Sequence, residues 1–340
     1  MWRGQIGKRS RQDRSRRFAA QPVLYPRGSI AYGFPMKQGW NHYIIVGTLL
    51  ALIIAKPTVF AQLETPATLK PEERMPMHKP APRLLPAVEP ARVLDIGLHS
   101  GLVDYQETVS IDPTISDWRS GFVGLDATLR YNKDQLRANF SGDFWYSFDA
   151  EEEWRFLGFL AQRNDMNVYG LDWLAEVGYQ MDPQGEASIT PYIGLGYRFQ
   201  EFSRNNFDLF RDGFGDLGRV NETFDLFLIN GAVELENRLS PQSLLNIRAD
   251  LGVIFVNQAV NTAIPGTLEG DGGFVFKVEG LWRLEISPNQ SFQLGVYVEH
   301  QENNGSVETR KSTSGEDFIV EWPDNDLERF GIRAAFEINI

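Results

Sequence analysis

The chain has 340 residues, 42% of them hydrophobic and 23% charged, with 31 Gly and no Cys. That balance excludes wholesale disorder and a bundle of membrane helices. The missing thiols exclude a disulfide scaffold, a thiolate zinc site and a cysteine nucleophile. The formal charge of -12 is unevenly divided: residues 1–61 carry ten Lys and Arg against one acid, Asp13, and the remainder is strongly acidic. Little in that remainder would neutralise phosphates, so nucleic acid is not an expected partner.

Residues 1–35 are Arg-rich and lack apolar periodicity, and they read as translated sequence upstream of the true start at Met36. From Met36-Lys37 a short basic region leads into the apolar run Tyr43 to Ala55. That run is too short to span a bilayer, which takes roughly 20 residues. Compact residues follow at Val59 and Ala61, three and one positions before Gln62. Residues 36–61 therefore read as a secretory signal peptide, with cleavage expected between Ala61 and Gln62. Residues 62–90 are Pro-rich and favour extended backbone without amide donors, so a periplasmic tether is expected there.

From about residue 91 to the end the apolar period is 2, not 3.6. Leu245, Ile247, Ala249, Leu251 and Val253 alternate with Asn246, Arg248, Asp250 and Gly252. Phe274, Phe276, Val278, Trp282, Leu284 and Ile286 alternate with Lys277, Glu279, Arg283 and Glu285. Ten such segments are expected: 92–106, 119–131, 136–149, 166–180, 187–203, 221–238, 244–258, 272–286, 291–303 and 326–340. Their connections alternate strictly. Asn132–Gln135, Met181–Glu186, Leu239–Ser243 and Ser287–Gln290 are short and rich in turn formers. The intervening ones, around 107–118, 150–165, 204–220, 259–271 and 304–325, are long, and Asp317–Trp322 could extend the last two strands. Short and long loops in alternation with an even strand number define a transmembrane antiparallel up-and-down barrel. On its outward parity Tyr131, Tyr179 and Trp282 suit the periplasmic interface, and Tyr146, Phe148, Tyr169 and Phe199 the outer one.

The final strand places Ile332, Ala334, Phe336, Ile338 and Ile340 on one parity to the last residue. In this run, in the strand alternation over 92–340 and in the signal peptide, the chain resembles the bacterial outer-membrane β-barrel superfamily, specifically its small single-chain porin-like members. Ile340 stands where that family usually ends on an aromatic. The resemblance implies an all-β fold, a Gram-negative outer-membrane location and recognition of the C-terminal run by the barrel-assembly machinery. It also implies contact with outer-membrane lipid and lipopolysaccharide. It leaves activity open, because the fold hosts pores, adhesins and enzymes alike.

The inward parity carries the acids Asp95, Asp126, Asp143, Asp172, Glu176, Glu234, Glu236, Asp250, Glu279, Glu285, Glu299 and Glu337. It also carries Arg130, Arg137, Arg198, Arg248, Lys277, Arg283 and Arg333, so the lumen is net acidic. Glu234, Glu236, Arg248, Asp250, Lys277, Glu279 and Arg283 lie on three successive segments and are expected to form one cross-strand network in the periplasmic half. Two functions follow from such a lumen: a porin-like narrow path for cations or small solutes, or a non-conducting structural or surface-interaction barrel. Enzymes are the third class. Asp95 shares a face with His99, but four residues along a strand is about 13 Å, too far to orient the ring. His99 and His300 read as rim residues, no hydrolase set assembles, and the chain is not expected to be an enzyme. Carboxylates at Glu151–Glu153, Asp212/Asp216 and Asp324/Asp326/Glu328 complete no calcium loop, and no metal or cofactor is expected.

Overall fold

The computed structural model describes residues 91–108, 116–182, 187–210, 218–262, 264–311 and 317–340. The proposed upstream segment, signal peptide, its cleavage point at Ala61 and Gln62, and the Pro-rich tether all lie outside these residues. The described strands are β1 (Ala91–Thr108), β2 (Ser116–Lys133), β3 (Leu136–Phe156), β4 (Phe159–Tyr179), β5 (Ala187–Leu209), β6 (Val220–Ser240) and β7 (Ser243–Asn261). They continue as β8 (Ile264–Glu269), β9 (Gly272–Ser287), β10 (Gln290–Asn304), β11 (Ser306–Lys311), β12 (Asp317–Trp322) and β13 (Asp324–Asn339).

Ten of these close into one ring. Each of β1 to β7 pairs antiparallel with the next, β7 pairs with β9, β9 with β10, and β10 with β13. β13 then returns to β1, with Val93 opposite Asn339 and Thr108 opposite Asp324, which seals the barrel. Closure leaves no unpaired strand edge for lipid to meet. β8 is a short addition along β7, and β11 with β12 form a two-stranded ribbon of their own. That ribbon follows β10 and precedes β13, so Asp317–Trp322 does continue the last hairpin beyond the ring.

Three of the long connections are more ordered than their composition suggests. β3 and β4 run on to Phe156 and from Phe159, joined by Leu157 and Gly158 with φ of 51° and 78°. Two successive positive φ values make the tight hairpin turn that matches strand twist. A transmembrane strand needs only about 9–11 residues. The 21 residues of β3 and of β4 therefore carry the sheet well past the bilayer. Bulges at Ser147/Ala150 of β3 and at Ile254/Val256 of β7, opposite Phe227/Leu228 of β6, reset the inward parity of β3 and β7 there.

The outer face is apolar and exposed: Leu98, Leu125, Ile193, Leu251 and Phe330 are each more than half accessible. Only hydrocarbon is a good solvent for such a band, and the outward rings of Tyr146, Phe148, Trp173, Tyr179 and Trp282 join it. Ile332, Phe336, Ile338 and Ile340 of the C-terminal run are exposed on this face.

Inside, large side chains are accommodated by glycines on neighbouring strands. Gly170 faces Trp145, Gly124 faces His99, Gly178 faces Tyr192 and Gly331 faces Tyr297. At Gly170 an added Cβ would lie 2.1 Å from the Trp145 indole nitrogen. Gly170→Val should therefore destabilise the barrel by about 1–3 kcal/mol. The readout is a lower temperature for the heat-induced mobility shift on gels. Gly231→Ala, which has nothing within 4 Å, should leave that temperature unchanged.

Candidate functional site

Among the described residues charge gathers in the lumen, which has two unlike layers. Toward the periplasm it is ionic. Arg333 binds Asp126 at 3.0 Å through Nε and Asp95 at 2.5 Å, and Arg130 reaches Asp95 and Glu337. Arg248 forks onto Glu176 at 2.6 and 2.7 Å and also holds Asp250. Arg329, only 2% exposed, gathers Glu299 at 2.8 Å, Asp172 at 3.1 Å and Asp143 at 3.3 Å. Arg198 joins the same group through Asp172 and Glu299.

Several of these contacts cross the lumen. Arg198 of β5 meets Glu299 of β10, Arg329 of β13 meets Asp172 of β4, and Arg248 of β7 meets Glu176 of β4. The interior of a ten-stranded ring is narrow enough for a guanidinium on one wall to reach a carboxylate on the other. That geometry changes the expected seven-residue network. Along the strands Glu234 is opposite Arg248, Arg248 opposite Glu279 and Asp250 opposite Lys277. Yet the seven do not join into one group. Glu236 pairs with Arg137, Arg283 with Glu337, and Glu234 accepts hydrogen bonds from Tyr192 and Asn246. Only Arg248–Asp250 and Lys277–Glu279, the latter at 3.6 Å, link members of the set. Side chains on a concave wall converge on the axis, so partners on distant strands compete with those on the neighbouring strand.

His99 also lies elsewhere than its position in the sequence suggests. It is not at the rim but in the middle of the lumen, 6% exposed. Its Nε2 lies 2.7 Å from Asp143 and its Nδ1 2.8 Å from the Tyr297 hydroxyl. Asp143 belongs to β3, so no spacing along β1 could have found it. A cavity of about 230 Å³ borders this group, with Lys277 set over the Tyr297 ring at 4.9 Å. A carboxylate, an imidazole and a phenol in a chain can relay a proton, but no serine, threonine or cysteine is hydrogen-bonded to the ring. His300 does face outward, beside Glu328 at 3.4 Å. Among the described residues, His300, Glu302 and Asp326 bring metal-ligating atoms within 4.8 Å of one another. They come from two paired strands, which is why the Asp324–Glu328 motif alone did not show them. Glu153 is tied to Arg155 and Arg163, and Asp212 and Asp216 lie outside the described residues.

Toward the extracellular end the lumen turns apolar. Val103, Tyr105, Trp118, Phe122, Trp145, Phe202, Phe224 and Leu226 are each at most 3% exposed and belong to one cluster. Trp118 stacks on Tyr105 at 5.6 Å, Phe202 lies 4.9 Å from Tyr105, and Phe224 meets Phe202 edge-on at 5.2 Å. Trp322 of β12 closes over Phe224 at 5.6 Å. Arg329 binds the two layers together, since its guanidinium also covers the Trp145 ring at 4.9 Å.

No protein-family model and no curated protein matches this sequence. Solved structures do match its fold. The outer membrane protease OmpT from Escherichia coli aligns over 74% of this chain and 97% of its own, with 9% identity and a TM-score of 0.56. The translocator domain of the autotransporter NalP from Neisseria meningitidis aligns over 72% of this chain and 88% of its own, at 8% identity and a TM-score of 0.35. A major outer membrane protein from Thermus thermophilus aligns over 73% and 100%, at 10% identity and a TM-score of 0.32. The closed ring, the apolar outer band and the likeness to OmpT define the fold as that of a bacterial outer-membrane β-barrel.

Removing Arg329 leaves three carboxylates of the lumen without it, and breaking a buried pair costs about 3–5 kcal/mol. Arg329→Ala should therefore lower the heat-modifiability temperature sharply. Arg283→Ala should lower it far less, since Arg283 is more exposed and holds only Glu337.

Proposed function

We propose that this protein is a closed outer-membrane barrel that acts at the cell surface and holds no standing path for solutes. The reading rests on one observation: the extracellular half of the lumen is filled by packed aromatic and aliphatic side chains, with Trp145 and Phe202 fully buried. Below them, ion pairs strut the ring from wall to wall. A net-acidic lumen would favour cations if it were open, but here its charges are largely spent on one another.

The extracellular extension supports the second half of the reading. The β3–β4 hairpin carries Leu157 and Phe159, at 56% and 71% exposure, on a tip that stands in water and not in lipid. Exposed apolar side chains at the end of a rigid ribbon suit contact with a partner. We take the chain to be non-enzymatic, because the His99 group lies beneath the plug, away from any extracellular substrate.

Planar-bilayer recording of the refolded barrel at pH 6 is the test. The expected result is a stable membrane without stepwise currents. Steady cation-selective steps would instead favour the narrow porin-like path.

A further inference from the structure

Above the aromatic plug, in the part of the barrel that stands clear of the bilayer, Arg204 of β5 is enclosed by three carboxylates from three other strands. Its Nε and Nη2 donate to Glu152 of β3 at 2.7 and 3.1 Å. Its Nη1 donates to Glu222 of β6 at 2.8 Å, and its Nη2 reaches Glu107 of β1 at 3.3 Å. All four residues are buried. Neutral donors complete the shell: the Ser116 hydroxyl and Asn164 amide serve Glu152, and the Tyr105 hydroxyl serves Glu107 at 2.5 Å. Trp154 covers the guanidinium at 5.5 Å. Among the described residues, the charged and titratable groups that face Glu107 are Arg204, Glu222, Glu152 and Tyr105.

Three carboxylates against one guanidinium leave two negative charges in a dry site if all are ionised. Buried like charges do not ionise together, so one carboxyl keeps its proton. Glu107 has the weakest hold on Arg204, and burial pushes its carboxyl from the ordinary 4.5 up to about 7. Glu152 is buried as well, but the charge and hydrogen bonds of Arg204 outweigh burial and hold it below the usual carboxylate range.

Each strand of the cluster also carries part of the plug two residues further in. Tyr105 lies below Glu107, Phe202 below Arg204, Phe224 below Glu222 and Ala150 below Glu152, and all four belong to the packed cluster. Repulsion among the carboxylates therefore acts on the strands that hold the plug together. We propose that the Glu107–Glu152–Glu222–Arg204 cluster is a proton-operated latch: one proton among its carboxyls keeps the extracellular end packed, and losing it loosens the plug. The latch rests on the closed-barrel reading above.

The sign follows from linkage. The folded state holds the Glu107 proton to about pH 7, while an unfolded chain releases it near 4.5, so stability falls as pH rises through this window. The test compares wild type and Glu107→Gln in bilayers, and by hydrogen exchange corrected for intrinsic rates, at pH 6 and pH 8.5. Wild type should be silent at pH 6. At pH 8.5 it should open intermittently, with about tenfold faster exchange in residues 103–107 and 202–206. Glu107→Gln should behave at both pH values like wild type at pH 6. If that variant fails to fold, Glu222→Gln removes the same excess charge and should abolish the response likewise. Wild type that is silent and unchanged at pH 8.5, or a glutamine variant with the wild-type pH response, overturns the latch and leaves the closed barrel standing. Steady currents from wild type at pH 6 overturn the closed barrel itself.

Discussion

Hydrocarbon offers no partner to an amide or a charge, and that single constraint orders everything in this barrel. It forces the backbone to close on itself, sends the apolar parity outward and gathers the polar parity inside. A soluble protein of this length would hide its leucines and display its arginines. Here the reverse holds, and the energetic problem moves to the axis. The inward ionisable side chains must find partners in a narrow tube. They do so by reaching across it, so the interior resembles a set of tie-rods more than a lining.

The two layers of the lumen answer this problem in different ways. The lower layer balances charge against charge, with Arg329, Arg198, Arg248 and Arg333 each serving at least two carboxylates. The upper layer removes charge from the axis and substitutes rings. Where the barrel leaves the bilayer the rules relax, because water again serves the outer face, and polar residues can stand on both sides of the sheet.

That change of solvent explains what was legible in the sequence. Within the bilayer a period of 2 is compulsory, and Phe330 to Ile340 or Leu245 to Val253 show it residue by residue. Above the bilayer the outer face need not be apolar. The stretch Glu151 to Arg163 therefore reads as a loop, although most of it is strand. The lumen-facing acids follow from parity, but their partners do not. Asp143 for His99 and Glu176 for Arg248 depend on ring closure and curvature, which no local spacing encodes. The plug was hidden for a further reason: Trp118, Phe122 and Trp145 are the sort of residues a lipid face would also choose.

The pairing of β1 with β13 has a consequence in time as well as in space. These two strands join the ends of the described barrel, and their sixteen matched positions cannot form until β13 has been made. Throughout transit the chain must remain unsealed, with two strand edges and a long apolar band available to any neighbour. The last strand thus acts as a clasp, and a polypeptide cut short of it would have every other strand yet no finished wall.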